Sequence, residues 1–153
     1  MRLHAGAGRA IKVFICDDVA DLRALIRGAV ESTGTLRVIG EAADGPSAVA
    51  GVLRTRPDVV LLDISMPDVD GLEVLRLLRE RAPATPVVIF SALSAAPVVR
   101  AARELGASAY VVKGAPLHEV TQALLDAAEP RRQAATRGSR RLFAGPRGAE
   151  ATF

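Results

Sequence analysis

The sequence contains few of the residues that cross-link small secreted proteins or bind soft metal ions. Its 153 residues include one cysteine, Cys16, and two histidines, His4 and His118. A single cysteine excludes an internal disulfide and a cysteine-based metal site. Aromatic residues make up 3% of the chain and tryptophan is absent. A hydrophobic core must therefore be built mainly from Val, Leu, Ile and Ala.

Long apolar segments are also missing. No run approaches the roughly 18 apolar residues that a membrane-spanning helix needs. The first ten residues, MRLHAGAGRA, are positively charged, but no apolar stretch follows them, which argues against a signal peptide. The sequence therefore predicts a cytoplasmic protein with no membrane contact.

Charge is distributed unevenly along the chain. The net charge is +3, yet residues 130–153 carry +5 and the remaining residues carry −2. We predict that residues 1–10 form a flexible extension and that residues 11–129 form one folded domain. Residues 130–153 are predicted to be a basic, disordered tail, too short to hold a second domain.

Five aliphatic runs alternate with segments whose apolar residues recur at helical spacing. The runs predict strands at 11–15, 36–42, 59–62, 86–92 and 108–114. Strands that are aliphatic throughout and separated by helices favour a parallel sheet covered on both faces. The predicted fold class is therefore α/β, with a single doubly wound five-stranded parallel sheet and five helices.

Local signals predict where several of these helices begin and end. Asp70, with Glu73 three residues later, has the pattern of a capping box before the third helix. Leu53 is expected on the apolar face of the second helix, next to Val52. Pro130 is expected to end the last helix.

Reactive side chains follow four of the five predicted strands. They are Asp17 and Asp18 after the first, Asp63 after the third, Ser91 after the fourth and Lys113 after the fifth. In parallel α/β sheets, ligands bind beyond the carboxyl ends of the strands, so these residues converge if their strands are neighbours. Crowding of three carboxylates raises a pKa or requires a cation, and their oxygen ligands suit Mg²⁺. The set is suited to phosphoryl transfer with a carboxylate as the nucleophile.

Each of these residues also has a simpler explanation. Asp17 and Asp18 could cap the first helix, and Lys113 could be an ordinary surface cation. However, the chain has only two lysines among its 20 basic residues, so a lysine at a strand end indicates a need for an ammonium group. We interpret Asp68 and Asp70 as turn and capping residues and not as metal ligands.

Four short motifs occur in a specific order: ICDD at 15–18, LLDISMPDVDG at 61–71, FSA at 90–92 and YVVKG at 110–114. Together they resemble the receiver domain of bacterial two-component response regulators, over residues 11–129. The second motif, LLDISMPDVDG, is most similar to receivers that usually precede a helix-turn-helix output domain, for which this chain has no room. The resemblance implies a flavodoxin-like strand order, 2-1-3-4-5.

The resemblance implies a phosphoacceptor and a metal site. Asp63 would become an aspartyl phosphate by taking a phosphoryl group from the phosphohistidine of a sensor histidine kinase. Asp18, Asp63 and the backbone carbonyl of Ser65 would bind Mg²⁺ directly. Asp17 would act mainly through a metal-bound water. The chain would then be a phosphoprotein of a signal-transducing phosphorelay and not an enzyme acting on other substrates.

The resemblance also implies a conformational switch. Ser91 and Lys113 would contact the phosphoryl group, and Tyr110 would swing inward when the Ser91 hydroxyl moves. This movement would alter the face formed by the fourth helix, fifth strand and fifth helix, a surface compatible with a downstream protein partner or a homodimer. The family often has a cis proline after the lysine, and Gly114 stands there in this chain, so the geometry of that bond is left open.

Other functions remain open from the sequence. One is a truncated or degenerate transcriptional regulator, although the Arg-rich tail alone would bind DNA weakly and without sequence preference. Another is a Mg²⁺-dependent aspartate-nucleophile phosphatase, but such enzymes place a second acid where this chain has Ser65. A receiver fold used only as an interaction module is the third.

Overall fold

The computed structural model describes residues 8–67 and 70–137, with residues 131–137 described by their backbone alone. In this part of the chain, five strands alternate with five helices, as the sequence predicts. The strands are β1 (Ile11–Cys16), β2 (Leu36–Ala42), β3 (Val59–Leu62), β4 (Val87–Ser91) and β5 (Ala109–Val112). The helices are α1 (Ala20–Glu31), α2 (Gly45–Thr55), α3 (Gly71–Arg81), α4 (Ala96–Glu104) and α5 (Leu117–Arg137).

The strands form one parallel sheet in the order β2-β1-β3-β4-β5. The predicted doubly wound α/β fold and its strand order are confirmed. Every residue of β3 and β4 is buried, which is why β3 is aliphatic throughout and β4 is apolar up to its last residue, Ser91. The strand order reverses beside β1 and β3, where open sheets of this kind form a crevice.

Both faces of the sheet are covered by helices. Side chains alternate between the faces along each strand. On β1, Phe14 and Cys16 join the layer beneath α2, α3 and α4, whereas Val13 and Ile15 join the layer beneath α1 and α5. The edge at the carboxyl ends of the strands is therefore where polar side chains can meet solvent.

The Phe14 ring fills a space that two glycines leave open. A Cβ atom on Gly40 in β2 would lie 2.6 Å from the ring, and one on Gly51 in α2 would lie 2.5 Å from it. Helix α2 approaches the sheet closely because residue 51 has no side chain.

The helix starts agree in part with the sequence signals. The side chains of Asp44 and Asp70 accept hydrogen bonds from backbone N–H groups in the first turns of α2 and α3. Asp70 is therefore a helix cap, as predicted. The Glu73 carboxylate pairs with Arg76 along α3 instead of completing the predicted capping box.

Two other helix predictions are wrong. Helix α5 continues through Pro130 to Arg137, since the fixed φ of proline is itself helical and a helix can continue with the loss of a hydrogen bond. Leu53 is 39% exposed, because α2 packs on the sheet through Val52 and the next residue points about 100° away around the helix.

Some predictions fall outside the described residues. These include the turn residue Asp68, most of the predicted N-terminal extension and the tail beyond residue 137. Among the described residues, no helix has the length and apolar character needed to cross a membrane.

Candidate functional site

The carboxyl ends of β1 and β3 lie level at one edge of the sheet. Cys16 pairs with Leu62 in the parallel register. The N–H of Asp63 donates to the Cys16 carbonyl at 3.0 Å, so the ladder continues one residue beyond the strands. Asp17 and Asp63, the residues that follow, are each only 2% exposed. The sheet thus holds two buried carboxylates beside each other.

Asp18 completes a cluster of three carboxylates. One carboxylate oxygen from each of Asp17, Asp18 and Asp63 lies within 4.8 Å of the others. Asp18 is exposed, whereas the other two are buried. Like charges at this separation repel each other, and burial strengthens the repulsion. The cluster therefore needs positive charge.

Lys113 supplies positive charge from β5. Its Nζ lies 2.9 Å from Asp17 Oδ2 and 2.9 Å from Asp63 Oδ2. Its backbone N–H donates to the Ser91 carbonyl at 2.8 Å, which fixes its position beyond the end of the β4–β5 pair. The described peptide bonds are all trans, including the bond to Gly114, whose φ is +108°.

The ionisation of Lys113 follows from these contacts. Burial lowers the pKa of Lys113, but the hydrogen bonds and charges of Asp17 and Asp63 outweigh burial and raise it above its ordinary value of 10.5. The ammonium group is therefore charged at neutral pH. Contacts with two buried carboxylates distinguish Lys113 from an ordinary surface cation, and the need for an ammonium group at this strand end stays a prediction.

The other carboxylate oxygens of Asp17 and Asp63 accept hydrogen bonds from nearby backbone N–H groups and one hydroxyl. Asp63 Oδ1 accepts bonds from the N–H and the hydroxyl of Ser65, at 2.7 and 2.6 Å. Asp17 Oδ1 accepts a bond from the N–H of Val19, the N-cap residue of α1, at 2.9 Å. Asp17 thus also supports the start of the helix, which was the simpler explanation for it. Metal binding by the Ser65 carbonyl stays a prediction.

The donor atoms suit a hard divalent cation. Asp17 Oδ2 is buried and, apart from its ionic contact with Lys113, it makes no hydrogen bond of good geometry within the described residues. A buried carboxylate oxygen in this state needs further compensation. The grouped ligand atoms of Asp17, Asp18 and Asp63 are all oxygens, which is the ligand type that Mg²⁺ prefers.

Ser91 and Tyr110 both bind the backbone of Leu93, in the loop between β4 and α4. The buried Ser91 hydroxyl accepts a bond from the Leu93 N–H at 3.1 Å. The Tyr110 hydroxyl donates to the Leu93 carbonyl. Tyr110 is 2% exposed, so it is fully buried. Burial raises the pKa of its phenol, which keeps the hydroxyl protonated as a donor.

Two contacts at the site were not predicted from the sequence. The Phe90 ring centroid lies 5.8 Å from Lys113 Nζ, and the FSA motif could have indicated this neighbour. Arg23 in α1 donates to the backbone carbonyl of Asp17 at 2.6 Å. Helical periodicity gives no signal for this contact, because an arginine on the polar side of a helix usually points into solvent.

Comparison with known proteins agrees with the fold and identifies the family. The model of the response regulator receiver domain family matches residues 13–125. The chain therefore belongs to this family, a class of two-component signalling domains, and the resemblance seen in the sequence is confirmed.

The curated relatives match this chain over only part of their own length. A protein-glutamate methylesterase/protein-glutamine glutaminase from Pyrococcus horikoshii is 42% identical over 108 residues, which cover 69% of this chain and 29% of the relative. The chain thus spans about a third of the length of the curated relatives it matches. This class of relative was not predicted from the sequence.

Solved structures are similar over most of the chain. The response regulator domain of Thermotoga maritima CheB is 30% identical with a TM-score of 0.69, covering 86% of this chain and 100% of that one. A LuxR-family two-component response regulator from Aurantimonas sp. SI85-9A1 is 29% identical with a TM-score of 0.75, covering 78% and 86%. The CheX-CheY-BeF3-Mg+2 complex from Borrelia burgdorferi matches at 28% identity and a TM-score of 0.71, covering 77% and 89%.

Proposed function

We propose that this chain is a phosphoacceptor switch of a two-component phosphorelay, with Asp63 receiving a phosphoryl group from the phosphohistidine of a sensor histidine kinase. The observation that carries the proposal is the position of the Lys113 ammonium, 2.9 Å from both Asp17 Oδ2 and Asp63 Oδ2. Such an arrangement offers a nucleophilic carboxylate beside a fixed positive charge. Membership of the receiver family supports the same role.

The transfer requires one bond to form and one to break. A carboxylate oxygen of Asp63 would attack the phosphorus, and the P–N bond to the kinase imidazole would break with its electron pair going to nitrogen. The product is an acyl phosphate on Asp63. Lys113 and the Ser91 hydroxyl would pair with phosphoryl oxygens. The only chemistry proposed for this chain is its own phosphorylation and dephosphorylation.

We propose that Asp17, Asp18, Asp63 and the Ser65 carbonyl hold Mg²⁺, with Asp17 acting through water. The bound ion supplies positive charge that offsets the negative charge of the phosphoryl oxygens during transfer. The buried Oδ2 of Asp17 supports this assignment, because within the described residues its ionic contact with Lys113 is not joined by a hydrogen bond of good geometry. The similar Borrelia burgdorferi complex, whose name includes BeF3 and Mg²⁺, supports it as well.

The shared contacts on Leu93 support a switching role for Ser91 and Tyr110. If the Ser91 hydroxyl turns toward a phosphoryl oxygen, its bond to the Leu93 N–H changes, and the same residue is held by Tyr110. Phosphorylation would thereby bias the loop before α4 between two arrangements. We propose that the face formed by α4, β5 and α5 transmits this change to a downstream protein or to a second copy of the chain.

The proposal is tested by intact-protein mass spectrometry after incubation with acetyl phosphate and Mg²⁺. The wild-type chain should gain the mass of one phosphoryl group, and Asp63→Asn or excess EDTA should abolish the gain. Asp126→Asn, which alters a carboxylate on α5 that pairs with Gln122, is the matched control and should behave like wild type.

Two results would contradict the proposal. One is an absence of modification under conditions that phosphorylate a known receiver in parallel. The other is an undiminished mass gain in Asp63→Asn, which would assign the phosphoryl group to another residue.

A further inference from the structure

The peptide bond between Asp17 and Asp18 is held in place by an arginine. Arg23 Nη1 donates to the Asp17 carbonyl oxygen at 2.6 Å. This carbonyl belongs to the peptide unit that joins the two acids, and a peptide unit is planar. With Asp17 held in the sheet, the orientation of this plane therefore affects the direction in which the Asp18 side chain leaves the backbone.

Arg23 is itself anchored to the sheet. Its Nε lies 2.9 Å from Glu41 Oε1, and the Arg23 and Glu41 side chains are only 18% and 21% exposed. Glu41 lies on β2, level with Ile15 near the end of β1. The planar fork of a guanidinium can bind a carboxylate and a carbonyl at the same time, which a lysine cannot do with equal rigidity.

Other contacts hold Asp17 at different atoms. Its N–H donates to the Ala42 carbonyl at 3.0 Å, and its Oδ1 accepts a bond from Val19. The contact at its carbonyl oxygen comes from Arg23. Loss of Arg23 would leave the position of Asp17 largely set while releasing the peptide plane that leads into Asp18.

We infer that Arg23, anchored by Glu41, is a positioning residue that orients the Asp17–Asp18 turn for binding a divalent cation. The inference rests on the proposed function, because it concerns the same carboxylates. The direction in which Mg²⁺ affinity changes when Arg23 is removed distinguishes a positioning effect from an electrostatic effect. Removal of a cation near three carboxylates would, by electrostatics alone, strengthen Mg²⁺ binding. Loss of positioning should instead weaken it, by about tenfold if Arg23 acts like other outer-shell groups.

The test is isothermal titration of Mg²⁺ into the full chain, comparing wild type, Arg23→Met and Arg27→Met. Arg27 is the matched control because it pairs with the same Glu41 from the next turn of α1. We expect a dissociation constant about tenfold higher for Arg23→Met and unchanged for Arg27→Met. As a second readout, the phosphorylation rate of Arg23→Met should need more Mg²⁺ to reach its maximum, while the maximum itself stays close to that of wild type.

Unchanged or tighter Mg²⁺ binding by Arg23→Met would overturn the inference. Equal weakening by Arg27→Met would also overturn it, because the effect would then come from Glu41 pairing and not from the Asp17 carbonyl. If circular dichroism shows that Arg23→Met does not fold, Arg23→Gln is judged by the same criteria. If the wild-type chain does not bind Mg²⁺, both the proposed function and this inference are refuted. If the wild-type chain binds Mg²⁺ and Arg23→Met binds it equally well, the inference alone is refuted.

Discussion

Replacement of Lys113 by methionine tests the electrostatic account of the site. Methionine keeps much of the apolar side chain but removes the ammonium that lies 2.9 Å from an oxygen of both Asp17 and Asp63. These acids are each 2% exposed, so their charges would lose a neighbouring cation and gain little water. We expect the variant to be less stable than wild type when divalent cations are absent.

The size of the effect follows from the burial of the groups. Removing one partner of a buried ion pair costs about 3–5 kcal/mol. The Lys113 side chain is 20% exposed, so solvent screens part of the interaction, and we expect a loss of about 2–3 kcal/mol. This is a large share of the roughly 5–15 kcal/mol that stabilises a typical domain.

Urea unfolding followed by circular dichroism would measure the change, because the chain has no tryptophan to report by fluorescence. Lys12→Met is the matched control, since Lys12 is the other lysine of the chain and lies near the opposite end of β1. Its effect should stay within about 0.5 kcal/mol. Adding Mg²⁺ should stabilise Lys113→Met more than wild type, because the ion replaces the missing positive charge.

The reasoning would be refuted if Lys113→Met were as stable as wild type in EDTA. It would also be refuted if Lys12→Met lost as much stability. Either result would show that the buried carboxylates do not depend on the ammonium of residue 113.

Two further predictions concern the core beside the site. Gly51→Ala should lower the free energy of unfolding by about 1–3 kcal/mol, because its Cβ would lie 2.5 Å from the Phe14 ring. Gly28→Ala should stabilise the chain by about 0.5–1 kcal/mol, because alanine favours a helix over glycine and nothing lies within 4 Å of the added Cβ. Similar urea midpoints for Gly51→Ala and Gly28→Ala would contradict the packing argument. Burial, with the nearby charges of acidic residues, raises the pKa of the Cys16 thiol from 9.0 to about 12. The unfolded chain therefore loses this proton first, and stability should fall as pH rises through that window, by roughly 1.4 kcal/mol per pH unit. The free energy of unfolding, measured with urea, should therefore fall less steeply with pH in Cys16→Ala than in wild type. Equal slopes for the two proteins would contradict this role of the Cys16 thiol.

The sequence was sufficient to predict which residues meet at the sheet edge. Asp17, Asp63, Ser91 and Lys113 each follow an aliphatic run, and parallel strands present their carboxyl ends at one edge. The structure brings the carboxylates of Asp17 and Asp63 to the same ammonium. Convergence was predictable because the alternation of strands and helices indicates parallel strands, and because the resemblance to receiver domains implies the strand order that the structure has.

Contacts made by long polar side chains were not predictable in this way. Arg23 is one of 18 arginines, and its spacing in α1 does not distinguish a guanidinium that reaches the Asp17 carbonyl from one that points into solvent. Pro130 failed as a helix signal for a related reason. Rules for helix ends describe local preference, whereas the length of α5 also depends on how the whole helix packs.

The arrangement of charges links occupancy of the site to the stability of the fold. Lys113 Nζ is shared equally between two buried carboxylates, so in the absence of a bound cation it is committed to both of them. A divalent cation on the same carboxylates would reduce that requirement and leave the ammonium free to pair with an incoming phosphoryl oxygen. Because such a ligand binds the folded chain and not the unfolded one, its binding free energy adds to the stability of the domain. Repulsion among the three carboxylates therefore destabilises the fold only while no cation is bound. Relief of this repulsion is the physical source of the affinity for a divalent cation that we propose.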